Sequence, residues 1–232
     1  FKDVFGHYPL GGKYGGWEYN TFADESVDRS GFLWWCRDWT PRDIRNRIGD
    51  AYYEPQFFGE NLVVALPSTI HGFHWSKKQI DRILEKKQII SIEEHIAPIR
   101  PDGLIQAPNV IDDIYELKRL FHFLRDKNVW YATGSEIAEY FVAYSQTTVY
   151  DLKLNSFKVR YSGRAEKPEL TLNIDCSAIC GEEAPYIRIV LPDKTILESR
   201  RIQSDKAHYR HIMNLPIMNG EYQITGSKTP NG

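Results

Sequence analysis

The sequence has no long apolar run and no excess of charge of either sign. No stretch reaches the roughly 20 apolar residues that a membrane-spanning helix needs. Lys and Arg together number 29 against 31 Asp and Glu, which gives a formal net charge of -2. A basic surface for a polyanion is therefore not indicated. We expect neither a membrane span nor a nucleic-acid partner.

Cysteine is scarce, with only three residues, Cys36, Cys176 and Cys180. Three thiols do not make the framework of a disulfide-rich fold, and Cys-x3-Cys without nearby ligands is a weak zinc signal. A disulfide between Cys176 and Cys180 stays open, and so does the cellular compartment. His71 and His74 have a His-x2-His spacing, but no third ligand lies close to them in the sequence. We therefore predict no metal site within this chain.

Two catalytic motifs are also missing. Gly-x-Ser-x-Gly is absent, which argues against an esterase with a nucleophile elbow. The Gly-rich start lacks the Gly-Lys-Ser/Thr ending of a phosphate-binding loop. Aromatic residues, in contrast, are plentiful, with six Trp and fourteen Tyr. Exposed rings often hold sugars and buried rings build cores, so the composition leaves both interpretations open.

The periodicity of apolar residues predicts alternating strands and helices over residues 1–147. Helical spacing runs from Ser76, a suitable N-cap, to Lys87. A short strand over 88–92 and an amphipathic helix over 110–125 follow. This order is typical of an α/β domain, in which helices cover parallel strands.

The pattern changes near Thr147. Beyond it, short runs alternate apolar and polar residues, and turn formers such as Pro192-Asp193 and Asn219-Gly220 separate them. Such alternation is typical of antiparallel strands with one buried face. We predict a second, smaller all-β domain, sandwich-like, over residues 148–232.

The segment 129–140, Val-Trp-Tyr-Ala-Thr-Gly-Ser-Glu-Ile-Ala-Glu-Tyr, predicts a buried strand over 129–131 that leads into a helix. Ser135 is predicted to cap this helix by accepting hydrogen bonds from its first N–H groups. Glu136 lies in the first turn, where the helix dipole favours an acid.

His95 lies beside two acids just after the predicted strand over 88–92. Ligand sites in α/β sheets collect at the carboxyl ends of strands. A histidine there suits a general acid, because its pKa lies near working pH. A structural histidine that hydrogen-bonds the following Pro-rich loop is the alternative.

A second cluster of candidate residues begins in a strand-like run and continues past its end. Its sequence is Trp34-Trp35-Cys36-Arg37-Asp38-Trp39. Asp38 has two interpretations: a residue of a ligand site, or a cap for the segment 40–43. In the Gly-rich start, Tyr14 and Trp17 are candidates for stacking on a sugar.

These motifs, in this order, resemble those of the NodB-homology polysaccharide deacetylases, carbohydrate esterase family 4. The resemblance covers about residues 5–145 and is strongest over 88–141. It implies part of a NodB-type (β/α) barrel for the α/β domain. It also implies that His95 is the catalytic acid that protonates the leaving amine, that Asp38 orients a catalytic arginine, and that Trp39 walls the acetyl pocket.

The resemblance also implies three substrate-binding residues, and the sequence departs from one motif of the family. Trp17, Tyr14 and Trp75 are implied to contact the sugar, the last in the segment after a Leu-Pro strand that borders the pocket in the family. Where the family has Arg-x-Pro before a glycine and an aromatic residue, this sequence has His7-Tyr8 before Pro9, without the arginine.

The metal-binding motifs of the family are an early Asp-Asp and a His-x3-His. This sequence has no His-x3-His, and no Asp-Asp precedes His95. The resemblance therefore implies that this chain alone holds no cofactor, and that a divalent metal, zinc, would need ligands from an N-terminal segment. We predict a deacetylase-type hydrolase that cleaves the amide C–N bond of N-acetylated sugars and is incomplete as given. The alternative is a catalytically inactive remnant that binds carbohydrate or another protein.

The expected partners follow from the same interpretation. A carbohydrate is the expected substrate. An N-terminal fragment, or self-association, is expected to cover the sheet edge that half a barrel leaves open, because folded proteins avoid such edges. A secreted or cell-surface location is favoured over a cytoplasmic one.

Overall fold

The structure, a computed structural model, describes residues 1–14, 21–36, 54–68, 70–71, 75–175, 186–200, 202–204 and 208–227. The chain divides into two compact units, Phe1–Ala138 and Glu139–Gly232. This division falls inside a helix, whereas the sequence predicts the domain boundary at residue 147. Among the described residues, no helix is both long enough and apolar enough to cross a membrane.

The first unit mixes short strands with helices. In chain order its elements are α1 (Lys2–Phe5), β1 (Gly11–Lys13), α2 (Thr21–Arg29), β2 (Trp34–Cys36), β3 (Gln56–Phe58), β4 (Val63–Leu66), β5 (Ile70–His71), α3 (Lys77–Glu85), β6 (Ile92–Glu93), α4 (Val110–Leu124) and α5 (Gly134–Gln146). Helix α5 continues into the second unit.

Two sheets organise these strands. One has four strands in the order β1-β2-β4-β3, with β1, β2 and β4 parallel and β3 antiparallel at an edge. The other is the parallel pair β5-β6. The predicted α/β class is confirmed. The described strands form open sheets and no closed barrel, so the NodB-type barrel stays a prediction.

Helices α3 and α4 form where the sequence predicts them. The Ser76 hydroxyl accepts a hydrogen bond from the Gln79 N–H at 3.2 Å, which is the predicted cap of α3. Ile80 of α3 packs with Leu120 and Leu124 of α4 in one apolar cluster, and all three are at most 2% exposed. This cluster fixes both helices in the first unit.

The strand predicted over 129–131 is wrong. Val129 packs against the cluster of α3 and α4, but residues 128–133 belong to no sheet. Trp130 and Tyr131 are each 59% exposed. The apolar run satisfies a strand pattern, yet only one of its side chains faces the core. The strand predicted over 88–92 is likewise reduced to β6.

The cap of α5 is Thr133 rather than the predicted Ser135. The Thr133 hydroxyl accepts from the Glu136 N–H at 3.3 Å, and the Glu136 carboxylate accepts from the Thr133 N–H at 2.7 Å. This reciprocal pair is a capping box. Glu136 does lie in the first turn, as predicted.

Strand β1 lies in the Gly-rich start of the sequence. A Cβ atom on Gly11 would collide with the indole of Trp34, and one on Gly12 with the indole of Trp35. The two glycines therefore let β1 pair with β2 beneath these two large rings.

The second unit is all-β after α5. Its strands are β7 (Thr147–Lys153), β8 (Ser156–Tyr161), β9 (Glu169–Asp175), β10 (Tyr186–Val190), β11 (Ile196–Arg200), β12 (Ile202–Ser204), β13 (His208–Pro216) and β14 (Gly220–Ser227). They form a five-stranded sheet, β11-β10-β14-β8-β7, and a three-stranded sheet, β12-β13-β9. All pairs are antiparallel.

Both sheets contribute to one apolar core. Phe157, Ile189 and Tyr222 come from the five-stranded sheet, and Ile174 and Leu215 from the three-stranded sheet. The rings of Phe157 and Tyr222 stack with centroids 5.0 Å apart. The antiparallel strands that the alternation predicts are thus present, in two sheets that share this core.

Candidate functional site

His95 lies two residues beyond the carboxyl end of β6. Its backbone N–H donates to the Pro108 carbonyl at 3.1 Å, and its carbonyl accepts from the Val110 N–H at 2.9 Å. His95 therefore forms an isolated β-bridge with Asn109. These contacts close the loop 96–108 onto the end of the strand and place the imidazole at the closure.

The imidazole of His95 has a defined proton arrangement. Its Nδ1 lies 2.7 Å from the Pro108 carbonyl oxygen. Because a carbonyl oxygen only accepts hydrogen bonds, Nδ1 carries a proton. In the part of the chain that the structure describes, no hydrogen bond reaches Nε2. Nε2 is therefore the ring nitrogen that is left to interact with a ligand.

Glu94 places an unsatisfied carboxyl group next to His95. Both carboxylate oxygens are shielded from solvent, and neither has a hydrogen-bond partner among the described residues. Burial raises the pKa of Glu94, and the nearby Asp113 carboxylate raises it further, while His95 opposes the increase. Asp113 lies in the first turn of α4 and is 8% exposed.

An ion pair joins the carboxyl ends of β1 and β6. Lys13 Nζ lies 2.5 Å from Glu93 Oε1, and the Glu93 side chain is 8% exposed. The sequence analysis missed both residues. Their position at strand ends was the available signal, but no pattern in the sequence connects residues 13 and 93.

A cavity of about 320 Å³ opens in the first unit, at the low end of the volume of ligand pockets. Its walls come from β2, the end of β4, the segment before β6 and the start of α5. The lining residues are Trp34, Cys36, Leu66, Pro67, Ile89, Ile90, Ser91, Ile92, Ala132, Gly134 and Ile137. Ser91 and Cys36 add a hydroxyl and a thiol to walls that are otherwise mostly apolar.

The Trp34 side chain, which lines this cavity, explains why glycine and serine follow Thr133 in the sequence. A Cβ atom on Gly134 would lie 2.8 Å from Trp34 Cζ2, so only glycine fits there. The indole Nε1 donates to the Ser135 hydroxyl at 2.9 Å. Ser135 thus binds a tryptophan of β2, and Thr133 is left to cap the helix.

Two of the predicted substrate-binding residues lie in described parts of the chain. Tyr14 is 9% exposed, and its hydroxyl donates to Asp24 Oδ1 at 2.5 Å. Trp75 packs against Phe123 with ring centroids 6.1 Å apart, and the Arg119 guanidinium lies 5.4 Å from its ring. The structure places the Tyr14 ring in a core and the Trp75 ring against α4, and neither lines the cavity.

The remaining predicted site residues, Asp38, Trp39 and Trp17, lie outside the described residues, as does His74. Among the described residues, no group of three or more His, Cys, Asp or Glu side chains is arranged to hold a metal ion. The metal centre that the family resemblance implies would take its ligands from outside this chain, so no chemical step is assigned to a metal here.

Comparisons of the chain with models of protein families, with curated proteins and with solved structures gave no match. The geometry around His95 and the order of the sequence motifs therefore carry the functional assignment.

Proposed function

We propose that this chain supplies the general acid of a polysaccharide deacetylase-type hydrolase, which cleaves the amide C–N bond of N-acetylated sugars. One observation carries the proposal: the hydrogen bond from His95 Nδ1–H to the Pro108 carbonyl. It holds the ring at the carboxyl end of β6 and leaves Nε2 to exchange a proton with a ligand.

The assigned step is proton delivery to the leaving nitrogen. Water adds to the amide carbonyl carbon and gives one proton to the solvent, the C–N bond breaks, and the bonding electrons go to nitrogen. Nε2–H of the protonated ring gives its proton to that nitrogen, so that a neutral amine and acetic acid leave. The acid then ionises to acetate, and the solvent returns a proton to the ring. Positioned acids of this kind typically accelerate a reaction by about 10²–10⁴-fold.

The proposal extends to a segment outside these 232 residues. The resemblance that motivates it includes metal ligands that this sequence does not contain. We therefore propose that the active form is an assembly of this chain with a polypeptide segment that carries them, and that His95 is this chain's contribution to it.

Acetate release is the measurement that tests this function. The native assembly containing this chain is purified from its source cells and assayed on N-acetylated chito-oligosaccharides. We expect His95→Ala to lower kcat by about 10²–10⁴-fold. His122→Ala is the matched control, since His122 is an exposed histidine near the end of α4. Unchanged turnover in His95→Ala, or no acetate release by the native assembly, would overturn the proposal.

Carbohydrate binding without turnover is the second candidate, and one observation favours it. Trp130 and Tyr131 are each 59% exposed, and the ring of Tyr131 lies 6.4 Å from the ring of the 47% exposed Phe121. Exposed rings of this kind are able to stack on sugars. Binding of oligosaccharide that Tyr131→Ala weakens, with no acetate release, would favour this candidate over hydrolysis.

A further inference from the structure

We infer that Asn109 is a positioning residue for His95, because it holds the end of the loop that presents the Pro108 carbonyl to Nδ1. This inference rests on the proposed function, since it gives Asn109 a part in the same acid site. Asn109 is 1% exposed, although asparagine is mostly found at protein surfaces. A buried amide of this kind has a structural or functional reason to be there.

The Asn109 side chain makes three hydrogen bonds. Its Oδ1 accepts from the Asp112 N–H at 3.0 Å, which caps α4. Its Nδ2 donates to the Gln106 carbonyl at 2.8 Å and to Asp112 Oδ2 at 2.7 Å. One side chain therefore ties the first turn of α4 to the last part of the loop 96–108.

The loop that Asn109 holds is itself hydrogen-bonded. The Gln106 N–H donates to the Pro98 carbonyl at 2.8 Å, and the Arg100 N–H donates to the Leu104 carbonyl at 2.9 Å. A shift of Asn109 would therefore move the chain on both sides of Pro108. The Pro108 carbonyl accepts from both the backbone N–H and the ring Nδ1 of His95, so the same shift would release the ring.

Capping alone does not require asparagine. Serine caps a helix about as well, because its hydroxyl accepts from the same N–H groups. It lacks the two donors of the Asn109 amide. Asn109→Ser therefore separates the two tasks of the residue: the cap is kept, and the bond to the Gln106 carbonyl is lost.

The ring tautomer of His95 is the expected readout. A neutral imidazole carries its proton on either nitrogen, and the partner of one nitrogen selects between them. With the Pro108 carbonyl in place, proton transfer from Nε2 leaves the Nδ1–H form. Without the Pro108 carbonyl, the Nε2–H form gains population. In that form the single proton of the neutral ring is on Nε2, the atom from which the acid donates.

The test uses the 232-residue chain labelled with 15N-histidine, studied by 15N–1H NMR at about pH 8.5, above the ordinary histidine pKa. The signal that His95→Ala removes identifies His95 among the seven histidines. We expect the Nδ1–H tautomer in the wild type and a mixture of tautomers in Asn109→Ser. Ser76→Ala is the matched control, because it removes the cap of α3 and touches neither the loop nor His95.

A second variant tests the same hydrogen bond in case Asn109→Ser does not fold. The exchange of Asn109→Asp with Asp112→Asn keeps one amide, one carboxylate and the cap, but provides no donor for the Gln106 carbonyl. We expect it to mix the tautomers as well. A wild-type Nδ1–H signal that both Asn109 variants retain would overturn the inference, and so would an Nε2–H tautomer in the wild type. Retention of the Nδ1–H signal in both variants would overturn the inference alone, and acetate release tests the proposed function separately. An Nε2–H tautomer in the wild type would remove the observation on which both rest.

Discussion

Strands of the first unit are two to four residues long, whereas strands of the second unit reach nine residues. In the second unit, both sheets contribute side chains to one apolar cluster. In the first unit, the buried residues fall into separate clusters, one beneath α2 and one beneath α3 and α4. The two units therefore use different sources of stability.

The first unit depends on polar side chains that hold backbone segments. The Asp28 carboxylate, 8% exposed, accepts from the Glu60 and Asn61 N–H groups at 3.0 and 2.9 Å. Asn109 and Thr133 do the same at the starts of α4 and α5. Short strands bury little apolar area, so single buried polar residues fix the loops between them.

The first unit also keeps much apolar surface exposed. Ile96 and Ile105 of the loop after β6 are 89% and 77% exposed, and Ile111 of α4 is 61% exposed. The amphipathic helix predicted over 110–125 is present as α4, but the exposure of Ile111 shows that the burial of its apolar residues is partial. In the second unit, the most exposed large hydrophobic side chain among the described residues is Leu152 of the edge strand β7, at 75%.

Leu215→Ala should cause the largest loss of stability in this comparison. Leu215 is fully buried in the shared core, and truncation of such a residue costs about 2–5 kcal/mol. Ile212→Ala is the control on the same strand, because Ile212 is 54% exposed and should change stability by about 0.5 kcal/mol or less. Urea unfolding followed by far-UV circular dichroism measures both. Equal losses would contradict the shared core.

Asp28→Ala should destabilise the first unit by about 1.5–3 kcal/mol, since it removes the buried carboxylate that accepts from the Glu60 and Asn61 N–H groups, and hydrogen bonds to a charged group contribute about this much. All six tryptophans lie at or before residue 130, so tryptophan fluorescence during urea unfolding reports on this unit. Asp81→Ala is the control, because its pair with Lys127 is exposed and should contribute no more than about 0.5 kcal/mol. A small loss in Asp28→Ala would show that polar contacts do not hold this unit.

Thr133→Ala should cost about 1 kcal/mol through loss of the cap of α5. The Thr133 N–H and hydroxyl lower the pKa of Glu136 from its ordinary value of 4.5. A lowered pKa in the folded state stabilises the protein above pH 4.5, and this contribution is lost as pH falls through the folded value. Thr133→Ala keeps the N–H and removes the hydroxyl, so thermal unfolding from pH 7 to pH 3 should show only the hydroxyl's part of the difference from wild type shrinking in acid. A constant difference would argue against the hydrogen bond from the Thr133 hydroxyl to the Glu136 carboxylate.

Glu94→Gln should give the smallest effect, a gain of roughly 0.5 kcal/mol at neutral pH. Burial raises the pKa of Glu94 above 4.5, so the folded protein binds the proton more tightly than the unfolded chain. Stability therefore falls as pH rises from 4.5 through the folded pKa, and the neutral amide escapes this loss. The advantage should vanish below pH 4.5 in thermal unfolding. A destabilised variant at pH 7 would show that the carboxylate has a favourable partner.

Local patterns in the sequence predicted the elements whose formation depends on residues that are close together in the sequence. Helix α4 and the cap of α3 at Ser76 follow from spacing within one turn or a few turns. The hairpin at Asp193 likewise uses residues adjacent in sequence, since the Thr195 N–H donates to Asp193 Oδ1 at 2.9 Å. Strand β13 has a weaker local signal, because polar residues such as Arg210 and His211 interrupt its apolar alternation.

The sequence by itself determined the α/β class of the first unit, the antiparallel strands of the second and the location of His95 after β6, because periodicity and turn chemistry are properties of neighbouring residues. The tertiary structure alone decided which residues meet. Trp34 and Ser135 are 101 positions apart, yet their hydrogen bond turns the predicted cap into a support for an indole. The burial of Tyr14 and the carbonyl partner of His95 Nδ1 were settled the same way, since pairing across long loops depends on packing that no local pattern encodes.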